Sequence, residues 1–144
     1  STQAKTLFPY TTLFRSDLSS HLRTLAAEPW QVGWSDCAGM VARWLVICGH
    51  PSATLLLPPV GDQAAADAML AAAGGLGPAM ASALAALGLA ETEAPRPGDV
   101  ACVSLATGET CAALRLAGGW ALRQRTGVAI VRTAVVASFR AWRV

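Results

Sequence analysis

The segment SDCAGMVARWLVIC, residues 35–48, decides the fold class. Val41, Trp44, Leu45 and Cys48 stand at i, i+3, i+4 and i+7, one face of an α-helix. Ser35 or Asp36 supplies the N-cap, and Gly49 and Pro51 end the run. The spacing predicts an amphipathic helix with Cys37 in its first turn. Upstream, Leu18, Leu22 and Leu25 predict a shorter helix over 17–27. Glu28–Gly33, with Pro29 and Trp30, reads as the loop between the two helices. Trp30, Trp34 and Trp44 are expected to pack around the Cys37 helix.

Downstream comes a Pro-rich loop (Pro51, Pro58, Pro59), then a stretch without charge from Ala68 to Ala90. Its length alone would cross a bilayer. Gly74, Gly75, Gly77 and Pro78 interrupt it, so it reads as two short helices and not as a membrane span. Asp62 caps the first, and Met80, Leu84 and Leu87 form the apolar stripe of the second. Beyond a turn at Pro95, Pro97 and Gly98 the pattern becomes β-type. The runs are Asp99–Leu105, Cys111–Ala117, Trp120–Arg123, Gly127–Arg132 and Val136–Val144. Thr107-Gly108-Glu109 and Gly118-Gly119 separate them too closely for crossover helices, which predicts antiparallel hairpins in a meander. Helices first and sheet second make an α+β domain.

Composition sets the remaining bounds. The 144 residues are 53% hydrophobic and 14% charged, which excludes a disordered chain. The net charge of +2 gives no argument for nucleic acid. Arg115, Arg123, Arg125, Arg132, Arg140 and Arg143 crowd the sheet region and read as a solvated strand face. Residues 1–16 differ from the rest: they hold the only Lys, the only Tyr and two of the three Phe. The run TLFPYTTLFRS, residues 6–16, resembles a translated sequencing adapter. Residues 1–16 are therefore read as an adapter-derived, disordered stretch, and 17–144 as one domain.

Chemistry concentrates at Cys37. The N–H groups and dipole of a helix start favour a thiolate, the form that attacks carbonyls. Cys37 also lies four residues before Val41 on the apolar stripe, where a thiol is a small core hydrophobe. His21, on the preceding helix, is a candidate base, with a capping or solvated role as the alternative. His50 lies thirteen residues further along the same helix, about 20 Å away. Cys37 and Cys48 sit about 16 Å apart on a helix, too far for a disulfide. A Cys102–Cys111 bridge across a hairpin stays open, with free thiols the default. No P-loop, GxGxxG or metal-ligand spacing occurs, so neither cofactor nor metal is expected.

Asp36-Cys37-Ala38-Gly39-Met40-Val41, followed by Pro97-Gly98-Asp99-Val100, resembles the NlpC-type papain-like cysteine peptidases. With the closing Ala141-Trp142-Arg143-Val144, the ordered set over 17–144 is similar to a phage-associated branch of that superfamily. The Trp34-Ser35-Asp36-Cys37 motif lacks one spacer residue of that branch. The resemblance implies a papain-like α+β core, with N-terminal helices packed on a C-terminal antiparallel sheet. It also implies a cysteine nucleophile facing a histidine on the sheet, oriented by a polar residue one strand further on. Cys37 matches the nucleophile. The histidine belongs where Cys111 or a neighbour stands, and no His follows His50. The orienting position falls near Arg123 or Gln124.

Two functions follow from the resemblance. The missing histidine favours a phage-tail structural or assembly protein with a degenerate site and tail proteins as partners. The alternative is a cysteine peptidase or amidase that cuts peptidoglycan peptides with Cys37, so enzyme status stays open. A virion or host-cytoplasm location is expected over signal-peptide secretion, with no nucleic acid and no membrane span.

Overall fold

Leu18 and Leu25 turn inward together from helix α1, which a computed structural model describing residues 16–144 places over 16–27. The reading of residues 1–16 falls, Ser16 aside, outside the described residues. Helix α2 (Cys37–Ile47) follows the loop and buries Met40, Val41, Trp44 and Leu45. Trp44 is sealed, and its indole Nε1 donates to the Gly98 carbonyl at 2.7 Å, which pins α2 to the sheet. A 3₁₀ turn, Ala53–Leu56, packs on α2.

The glycine cluster breaks the uncharged stretch as expected. Helix α3 (Gln63–Ala73) is capped by Asp62 through the Ala65 N–H at 2.9 Å and ends at Gly74, whose φ of 90° suits glycine. Helix α4 (Leu76–Ala86) leaves at 86° to α3, with Met80 and Leu84 buried. Pro78 is tolerated in its first turn, where N–H groups have no intrahelical partner. Among the described residues no single helix is long and apolar enough to cross a membrane. Helix α3 buries none of its residues.

Six strands then form one antiparallel sheet in the order β1-β6-β2-β3-β4-β5. They are β1 (Glu91–Thr92), β2 (Val100–Leu105), β3 (Thr110–Leu116), β4 (Gly119–Gln124), β5 (Gly127–Arg132) and β6 (Val136–Trp142). The meander holds from β2 to β5 only. After a 3₁₀ turn at Thr133–Val135, β6 crosses back to the free edge of β2, pairing Val100 with Trp142, and receives β1 on its other side. The crossing satisfies backbone groups that a plain meander would leave at the edge of β2.

The sheet is apolar on both faces, so its central strands read as continuous runs, not as clean alternations. Val100, Cys102, Ala112 and Leu114 face the helices. Ala101, Val103, Ala113, Trp120 and Leu122 make a second cluster. The chain ends in a knot around Asp99, which is 2% exposed. Its Oδ2 accepts from the Arg96 N–H at 2.8 Å and Arg143 Nε at 2.9 Å, and its Oδ1 accepts from the Val144 N–H at 3.0 Å. Asp99→Ala is expected to cost about 2 kcal/mol in urea unfolding, since charged hydrogen bonds are lost at a buried acceptor. An unchanged midpoint would show the knot to be incidental.

Candidate functional site

Asp36, not Ser35, starts α2, and it holds two strands of chain at once. Its Oδ1 accepts from the Gly39 N–H at 2.8 Å and its Oδ2 from the Gly33 N–H at 3.0 Å. Ser35 turns inward instead and donates from Oγ to the Pro29 carbonyl at 2.6 Å. The loop is clamped from the sheet by Arg123, 4% exposed. Its Nε donates to the Ser35 carbonyl at 2.7 Å and its Nη2 to the Glu28 carbonyl. Arg43 adds a two-pronged pair to Glu28 (2.7 and 2.9 Å) and lies over the Trp34 ring at 4.3 Å. These contacts fix Cys37 as the first residue of the helix.

The shift at the sulfur runs against the thiolate that a helix start was expected to favour. Burial pushes the Cys37 thiol up, and the neighbouring Asp36 carboxylate pushes the same way. N–H groups of Ala112, Ala38 and Cys37 itself act against this without cancelling it. The dipole end is already complemented by Asp36, so little is left for a thiolate.

The position across from Cys37 is Ala112, which lines the same groove. Cys111, one residue earlier, belongs to the opposite face and packs with the second cluster. Its thiol is pushed up to about 11, by burial first and then by Glu109, Cys37 and Cys102. The Cys102–Cys111 bridge does not form: Cys102 pairs with Ala112 and Cys111 with Val103, so the two thiols point to opposite faces and stay free.

His21 is buried behind α2. Its Nε2 lies 2.7 Å from the Met40 carbonyl, so that nitrogen carries the proton, and the ring sits 6.0 Å from Trp44. Burial lowers its pKa, keeping the ring neutral. That hydrogen bond ties α1 to α2, and His21 makes none to Cys37. His50 lies past the end of α2. Arg123 grips the loop before Cys37, a role no periodicity announces.

Cys37 is one of the residues that line a groove of about 700 Å³. Ala38, Val41, Ala42 and Leu45 of α2 form its floor, and α3 and α4 form its walls. Gln63, Ser82, Thr110 and the indole N–H of Trp30 are its few polar uncharged groups besides the thiol. Among the described residues no set of three His, Cys, Asp or Glu side chains converges as metal ligands. The arrangement suits apolar binding better than proton transfer.

A comparison with protein-family models matches residues 11–144 to a family described as Domain of unknown function (DUF6950). The match begins six residues before the boundary at Asp17 read from composition. No curated protein and no solved structure matches the chain.

Proposed function

The chain belongs to the DUF6950 family, and we propose that it is a catalytically degenerate papain-like domain that binds and assembles instead of cutting bonds. One observation carries this: the β3 residue whose backbone N–H bears on the Cys37 sulfur is Ala112, which has no imidazole, and the thiol beside it is pushed above its ordinary value. Among the described residues no imidazole bonds to Cys37 to take its proton or return one to a leaving amine. The order of helices and then an antiparallel sheet supports the papain-like reading.

The architecture also explains the motif without chemistry. Gly98-Asp99-Val100 and Ala141-Trp142-Arg143-Val144 meet through the Asp99–Arg143 pair and the Val100–Trp142 register, so both serve the fold. Likeness of that ordered set to the phage-associated branch supports a tail-assembly role, with tail proteins as partners. One observation favours the hydrolase instead: three N–H groups bear on the Cys37 sulfur.

Alkylation and hydrolysis separate the two. With iodoacetamide at pH 7.5, Cys37 is expected to react at least about tenfold more slowly than free cysteine, since each unit of raised pKa removes nine-tenths of the thiolate. Purified peptidoglycan is expected to release no new amines. Fast alkylation of Cys37, with amine release that Cys37→Ala abolishes, overturns the assembly reading and restores the hydrolase.

A further inference from the structure

A cation stands on one wall residue of the groove and has no role in the proposed function. The groove interior is nearly free of charge: among the described residues Asp36 is its only charged lining residue, and both carboxylate oxygens already accept from Gly39 and Gly33. Trp30 forms part of its wall, and over the Trp30 ring, at 5.5 Å, stands the guanidinium of Arg125. Arg125 is exposed at the β4–β5 hairpin and forms no ion pair among the described residues. Helix α3 forms another wall while burying none of its residues, and Met69 and Leu70 stay 44% and 37% exposed. An apolar trough therefore has, one residue beyond its lining, a cation with no ion-pair partner among the described residues.

We infer that the groove binds a free long-chain carboxylate, its alkyl chain along the α2 floor and its carboxylate on Arg125. The volume lies within the range of small-molecule sites, and lining that is mostly aliphatic is typical of them. The scarcity of polar groups selects the chain type. An extended peptide would bring more amide groups than Trp30, Gln63, Ser82 and Thr110 can satisfy, whereas an alkyl chain brings none. Charge complementarity selects the head group, because Arg125 offers a fork of donors matched to a carboxylate. The inference rests on the groove and on Arg125, not on the sulfur, so hydrolysis at Cys37 would leave it standing.

Calorimetric titration of the full chain tests it, with sodium dodecanoate and dodecanol below micellar concentrations. Saturable binding at one molecule per chain is expected, with dodecanoate favoured over dodecanol by about fivefold, the worth of an exposed ion pair. Arg125→Gln should erase that preference and leave dodecanol binding intact. Ala66→Trp, on the α3 wall, should weaken both ligands at least about tenfold with an unchanged melting temperature. Equal affinity for the two ligands, a preference that survives Arg125→Gln, or no saturable binding overturns the inference. Tighter binding of an apolar peptide ending in a free carboxylate overturns the choice of a lipid.

Discussion

Gly39→Ala is expected to destabilise the chain by about 3 kcal/mol and to lower Tm by about 10 °C. A Cβ at this position would lie 2.1 Å from the Trp34 carbonyl oxygen and 2.3 Å from its carbon. Both are backbone atoms, so no flexible side chain can swing away. Trp34 cannot retreat cheaply either. Its ring lies under Arg43, and the residues beside it are held through Asp36, Ser35 and Arg123. The added methyl must therefore push the loop off the helix or strain the first turn.

Function registers the same change. Shifting the loop uncovers the sulfur beside Asp36, so alkylation of Cys37 should accelerate as Tm falls. Gly118→Ala is the control, because a Cβ there meets nothing within 4 Å and its φ is not positive. Equal melting temperatures for the two variants would mean that the close approach at Gly39 is not a constraint. The glycine of the Asp-Cys-x-Gly pattern thus has a steric reason independent of catalysis.

That steric reason was invisible in the sequence, although the helix around it was plain. The period of α2, its Asp cap and its stop at Gly49 are local features, and local features were legible. So were the break at Gly74 and Gly75 and the hairpins from β2 to β5. What escaped depends on partners distant in sequence. β6 pairs with β2 because that edge is free, and nothing within Val136–Trp142 names its partner. Arg123 read as part of a solvated face; it is buried because the carbonyls of Glu28 and Ser35, far upstream, take its donors. The site turns on one residue of register. In a strand, adjacent positions face opposite ways, so the register decides whether Cys111 or Ala112 lines the groove together with Cys37. That choice needs the pairing of β3 with β2 and the packing of α2 above it.

The thiols should also shape how stability responds to pH. Cys48 is pushed up to about 12, by burial first and then by Asp17, and Cys111 to about 11. Burial raises Cys37 and Cys102 as well. For each, the folded chain holds its proton at a pH where the unfolded chain has released it. Their contribution is complete below about pH 9 and is lost as pH rises through the folded values. Between pH 8 and 10.5, Cys48 and Cys111 together are expected to remove about 2 kcal/mol, half the full linkage value because both are partly exposed.

His21 works in the opposite direction. Its pKa is lowered by burial, so its contribution is present above about pH 6.5 and is lost as pH falls through the folded value. Glu28, held low by its hydrogen bonds from Arg43, acts below that window. The two limbs are therefore separable by urea unfolding at fixed pH values. Cys48→Ala combined with Cys111→Ala should flatten the alkaline limb and leave the acid limb unchanged. An alkaline limb that survives the double substitution would mean that other groups titrate there. A flat wild-type profile would mean that the sulfurs are as free to ionise in the fold as outside it, and the inertness proposed for Cys37 would lose its physical basis.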